Sequence, residues 1–235
     1  MTELPIEKAE QPIEERTAMS RGTAVIVGVG PGLGLELARI FGNAGHPVAM
    51  LARDKAKLDT FAKELASTGL DARGYVTDAA DPVNLRDVLS AAITEMGAPD
   101  VLVYNVGVLG PDSPTGGDDQ KWALNTAVNI LGARVAADAV LPKLRDGRGT
   151  LLFTGGGYAL HPSKKFASLS VGKAGLRAYV QMLHDLLAGT RVHATSVTIT
   201  ATIGSAPRFE PTEIAKAYLD LVNQAETDWQ HELVY

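Results

Sequence analysis

Cysteine is absent from the 235 residues. That absence excludes a disulfide framework, a zinc site built on thiolates and any cysteine nucleophile. Basic clusters are missing too. There are 22 Lys and Arg against 27 Asp and Glu, a formal charge of −5, and nowhere do the cations gather into the patch that a phosphodiester backbone requires. Nucleic acid is therefore not an expected partner. His46, His184 and His193 lack metal-ligand spacing and companions, so no metal site is expected. Internal repeats and long low-complexity linkers are also missing, and nothing marks a domain boundary between Thr23 and Tyr235.

What is present is the balance of an ordinary globular protein rather than a disordered or membrane-spanning one: 46% hydrophobic and 21% charged residues. No membrane partner is expected. The first twenty residues hold five Glu against one Lys and one Arg, a net of −3, the opposite of a secretory or mitochondrial leader. A cytoplasmic location is the corresponding expectation. Residues 1–20 read as a flexible acidic tail, or as an arm laid on a neighbour, and residues 21–235 as one domain.

From Thr23 onward short β-branched runs alternate with helical patterns, which predicts an α/β fold: a doubly wound parallel sheet covered on both faces. Strands are expected at Thr23–Val27, Val48–Leu51, Ala72–Val76, Val101–Tyr104, Thr150–Thr154 and Val192–Ile199, with a seventh near Leu233. Between them, Leu33, Leu37, Ile40 and Phe41 share one helical face before the Gly42–Gly45 run. A second helix begins with Asp54 as cap and buries Leu58, Phe61 and Leu65. A third has Asp81 as cap, Pro82 at its first position and Leu85, Val88, Leu89, Ala92 and Met96 along one stripe.

The first strand leads through Gly28-Val29-Gly30-Pro31-Gly32-Leu33-Gly34 into the first helix. Glycines in that place let the backbone turn tightly and approach a pyrophosphate, whose charge the free N–H groups and helix dipole attract. Glycines at 28, 32 and 34 give G-x-x-x-G-x-G, a spacing that resembles the short-chain dehydrogenase/reductase family, and the resemblance runs to the C-terminus. It implies a seven-stranded Rossmann fold in a single domain. It also implies that Asp78 and Ala79, after the third strand, meet an adenine, and that Asn105-Val106-Gly107 supports the sheet beside the cofactor. Asn129 is similar to the family's active-site asparagine, which kinks its helix and holds a water; Lys173 is similar to its lysine.

The cofactor is expected to be NADP(H). The place just past the second strand, where an NAD-dependent relative carries an acid, is Ala52, followed by Arg53. An arginine there forms charge-assisted bonds to a 2′-phosphate, worth about ten- to a hundredfold in affinity. Asp54 reads as the helix cap rather than a ribose ligand.

Family members move a proton through Tyr-x-x-x-Lys with a serine on the preceding strand end. Here the tyrosine position is Leu169 and the serine position is Gly156 in Thr154-Gly155-Gly156-Gly157; Phe166 fills the alternative tyrosine place of the enoyl reductases. The chain thus reads as a divergent member without the catalytic serine and tyrosine. Tyr158, His161, Ser168 and Ser170 are nearby substitutes, Tyr158 first among them. Ser170-Val171-Gly172-Lys173 also spells S-x-x-K, without the companion motifs that give it meaning.

After the sixth strand only a short connection precedes the helix near Thr212, so little chain remains to cover a substrate. Two functions follow: an NADP(H)-dependent oxidoreductase of a small-molecule substrate with a non-standard active site, or a silent NADP(H)-binding sensor or scaffold. The last helix and strand resemble elements that pair family members, so a homo-oligomer, dimer or tetramer, is expected.

Overall fold

The computed structural model describes residues 21–235; the acidic tail read over residues 1–20 lies outside the described residues. Seven strands, β1 (Thr23–Val27), β2 (Val48–Ala52), β3 (Ala72–Val76), β4 (Pro99–Tyr104), β5 (Arg148–Gly156), β6 (Arg191–Ile199) and β7 (Glu232–Val234), form one sheet in the order β3-β2-β1-β4-β5-β6-β7. Every pairing is parallel. All seven expected strands are present, and the seventh lies at the edge beside β6.

Parallel strands need covering on both faces, and each side chain's parity decides its layer. Val25 and Val27 of β1 enter a core with Leu85 and Leu89 of α3 (Pro82–Met96), Val135 and Val140 of α5 (Gly132–Val140), and Leu176 and Val180 of α6 (Ala167–Leu186). Ala24 and Ile26 enter the opposite one, with Leu37 and Phe41 of α1 (Leu33–Asn43), Leu58 and Leu65 of α2 (Lys55–Ser67), and Ile214 and Tyr218 of α7 (Pro211–Val222). The predicted caps are in place. Asp54 accepts from the Lys57 N–H at 3.1 Å, and Asp81 accepts from Val83 and Asn84 at 3.0 Å each, with Pro82 at the helix start.

The strand order reverses between β1 and β4, which opens a crevice at their carboxyl ends. Alongside, α4 (Asp119–Thr126) runs into α5 through a π-helical turn, Ala127–Leu131. Here the Gly132 N–H donates to Ala127 O, five residues back, while Asn129 Nδ2 donates to Asn125 O at 3.1 Å and takes up that acceptor. The expected kink at Asn129 is thus a widened turn. Among the described residues no helix is long and apolar enough to cross a membrane.

Candidate active site

The crevice holds a cavity of about 310 Å³, and the nucleotide-binding residues read from the sequence divide around it. Gly28, Gly30, Pro31, Arg53, Asp78, Ala79, Asn105, Val106 and Gly107 line it; Gly32, Leu33 and Gly34 do not. Gly28 has φ +98°, and a Cβ there would stand 2.4 Å from Asn105 O, so both conformation and space require glycine. A Cβ on Gly34 would fall 2.7 Å from Gly28 O, so this glycine serves the close approach of α1 to the turn. Gly30 and Gly32 face open space, with no atom within 4 Å of a built Cβ. The Leu33 side chain is buried in the core with Leu37 and Phe41, because the helix face it starts must be apolar.

Asn105 also acts behind the cavity wall. Its Nδ2 donates to Gly28 O at 3.0 Å, and its Oδ1 accepts from Thr154 Oγ1 at 2.8 Å. That commits the single hydroxyl proton of Thr154, so Tyr218 Oη, 2.7 Å away, donates to Thr154 in turn. A relay from α7 through β5 and β4 thereby holds the glycine turn.

Lys173 does not line the cavity; it is only 7% exposed and lies behind Gly107. Its Nζ donates to Val106 O at 3.0 Å and Thr154 O at 2.8 Å. A Cβ on Gly107, a cavity residue, would lie 3.7 Å from that Nζ. Burial alone pushes the ammonium down to about 8, since desolvation opposes its charge and no carboxylate stands beside it as a cause of shift.

A sequence model described as short chain dehydrogenase matches residues 22–210. The chain belongs to the short chain dehydrogenase family. An uncharacterised oxidoreductase of Staphylococcus aureus is 28% identical over 218 residues, spanning 88% of this chain and 94% of that one. A granaticin polyketide synthase putative ketoacyl reductase of Streptomyces violaceoruber is 31% identical over 122 residues, but these are 52% of this chain and 45% of that protein. Among solved structures, a metagenomic short-chain oxidoreductase in complex with NADP superposes with a TM-score of 0.82 at 25% identity, covering 92% of this chain and 96% of that one.

In this short chain dehydrogenase the segment bordering Lys173 is tightly committed. Leu169, one turn before the lysine, is buried. Ser170 Oγ donates to Phe166 O at 2.7 Å and accepts from the Ser163 N–H at 3.0 Å, so its proton is engaged. Ser168 Oγ donates to Asp112 and accepts from Asn125 Nδ2. Tyr158, the first-named substitute, is 36% exposed, and its ring stacks on Phe166 with centroids 5.3 Å apart. Among the described residues its hydroxyl has no hydrogen-bond partner, so nothing aims it at Lys173. His161 is exposed.

One cation among the cavity residues escapes sequence reasoning. Lys57, in the first turn of α2, lines the same end of the cavity as Arg53, with its Nζ 3.3 Å from Asp54. Its signal was present only as a cation four positions after Arg53, in the first turn of the helix that follows. Gly156 is extended, with φ −162°, and a Cβ there would meet Lys173 Cγ at an ordinary 3.8 Å.

Proposed function

We propose that the chain is an NADP(H)-dependent oxidoreductase whose proton chemistry does not run through the family's serine and tyrosine. The observation that carries this reading is one cavity lined by the cations Arg53 and Lys57 and by Gly107, with the buried Lys173 Nζ behind that glycine. The open faces of Gly30 and Gly32 form a cradle that a Cβ would fill, which fits a pyrophosphate under the N-terminus of α1. Arg53 and Lys57 suit a 2′-phosphate, and Asp78 and Ala79 suit the adenine; Lys173, with its Nζ behind Gly107, suits the nicotinamide ribose. The chemistry such a group supplies when bound is hydride transfer. This chain's residues bind and orient it, while Leu169 and Gly156 leave no hydroxyl where relatives place their proton donor.

Those two residues also favour a second reading, a silent NADP(H)-binding sensor or scaffold. Fluorescence titration with NADPH and NADH under identical salt separates the cofactor reading from its failure: tight NADPH-selective binding supports it, and no binding of either nucleotide overturns it. We further propose self-association, supported by the exposed apolar Val171, Met182 and Leu186 along α6, with Leu124 and Leu131 exposed on the helical segment packed beside it. Gel filtration at micromolar concentration showing only monomer would contradict it.

A further inference from the structure

The loop between β4 and α4 begins in the cavity wall, at Asn105–Val108, and then crosses to the start of α6. There Asp112 supplies what α6 lacks. The residue in the capping place, Phe166, offers no side-chain hydrogen bond, and the Asp112 carboxylate instead accepts from the backbone N–H groups of Ala167 and Ser168 (3.1 Å for the latter) and from Ser168 Oγ. Burial pulls this carboxyl up, but the bonds from Ser168 and Ala167 outweigh it and hold the group below the usual carboxylate range.

An ionised carboxylate accepts only, and that fixes the direction of every bond behind it. Ser168 spends its proton on Asp112 and therefore accepts from Asn125 Nδ2 at 2.9 Å. Asn125, held with its nitrogen toward Ser168 and toward Lys121 O, presents Oδ1 to Asn129 Nδ2 at 3.2 Å. Asn129 also donates to Asn125 O, so turning its amide over would set oxygen against two oxygens. What remains is Asn129 Oδ1, fully buried and without a hydrogen-bond partner among the described residues, in the π-helical turn. Its amide packs against Gly172, where a Cβ would come within 3.0 Å of Cβ and Nδ2 of Asn129, immediately before Lys173 on α6.

We infer that Asp112 is a positioning residue for this site: through Ser168 and Asn125 it fixes the Asn129 amide so that Oδ1 is an acceptor, suited to a hydroxyl donor from water or a bound ligand. The inference rests on the cofactor reading only for the ligand source. The polarity of the chain belongs to the apo protein. It also gives the loop that starts in the nucleotide cavity a grip on the helix that carries Lys173.

The test uses the full chain and two readouts that need no activity. Asn129's side-chain NH₂ resonances, assigned by their loss in Asn129→Asp, report the end of the chain; hydrogen exchange of the 163–172 segment reports the cap. Ser168→Ala keeps both backbone bonds to Asp112 but cuts the chain. It should shift the Asn129 NH₂ signals while exchange of Ala167 stays within about twofold of wild type, whereas Asp112→Asn should shift the signals and also speed that exchange about tenfold or more, as expected when a charged acceptor is lost. Ser168→Thr, which restores the hydroxyl, should return the signals to their wild-type places. Unmoved signals in Ser168→Ala overturn the inference and leave Asp112 as a helix cap only. Should Ser168→Ala fail to fold, Asp112→Asn alone decides: faster exchange with unmoved Asn129 signals has the same meaning. Addition of NADPH distinguishes the donor. A further shift of the Asn129 signals assigns a ligand hydroxyl, and bound NADPH with no shift assigns water.

Discussion

The two ends of the candidate site are built by different means. At the nucleotide end the work is done mostly by backbone: a glycine turn with Gly30 and Gly32 open and a helix N-terminus, joined by cations at and just before the start of α2. At the Lys173 end it is done by individual side chains, and Leu169, Ser168 and Ser170 are turned inward and occupied. A backbone cradle depends on several positions together, whereas a proton donor is one atom on one side chain and one substitution removes it. Binding and chemistry can therefore part company in a single fold.

The largest effect expected from testing that contrast is a gain. Leu169→Tyr combined with Gly156→Ser should create carbonyl reductase activity, raising turnover by about 10²–10⁴ as a positioned acid does. Room exists for the serine, since Gly156 is extended and its Cβ would touch Lys173 at a normal distance. Continued silence of a folded, NADPH-binding double variant would favour the scaffold reading. At the other end, Gly28→Ala should cost on the order of 3 kcal/mol in urea unfolding and abolish NADPH binding, because a left-handed backbone and a carbonyl clash are both imposed. Retained stability would mean that the turn is more plastic than its geometry implies.

Smaller and more specific is the cation pair. Arg53→Ala with Lys57→Ala should reduce NADPH affinity about ten- to a hundredfold and leave NADH affinity nearly unchanged. Equal losses for both nucleotides would place the 2′-phosphate elsewhere.

Lys173 adds a pH signature. Its folded value, about 8, lies below the ordinary 10.5, so the folded state sheds this proton first. The buried charge opposes folding at pH 7, and its contribution to stability grows as pH rises from about 8 toward 10.5, because there the unfolded chain binds more protons. NADPH affinity should fall over the start of the same window as the ammonium neutralises; a flat binding profile from pH 7 to 9.5 in wild type would remove Lys173 from the nucleotide. The smallest effect is a null: Tyr158→Phe should leave stability within about 0.5 kcal/mol and NADPH binding unaltered. A marked loss of binding would return Tyr158 to the site.

Most of the scaffold was legible in the sequence because its signals are local. Asp54 and Asp81 sit beside the helices they cap, Gly28–Gly34 is contiguous, and strand patterning needs only neighbours. What escaped is what depends on distant partners. Asp112 caps a helix 55 positions away from a loop without periodicity, and Asn105's amide has partners 77 and 49 positions off, so its supporting role behind the wall was visible only through family resemblance. Ser168 and Ser170 stood as possible donors because a hydroxyl's reach can be read from spacing, but its prior engagement cannot. Lys57 was hidden for a simpler reason: in sequence it looks like any cation on a surface helix.

The Tyr218–Thr154–Asn105–Gly28 relay has a consequence for synthesis. The glycine turn directly follows β1, while the hydroxyl that begins its support belongs to α7, far later in the sequence. α1 and α7, the turn's helix and the relay's origin, pack on each other across nearly the whole length of the chain. Such a contact carries a high loop-closure cost and forms late. The nucleotide cradle, translated well before α7, is thus among the last parts to mature, and nascent chains halted before Tyr218 would carry the glycine motif without a finished site.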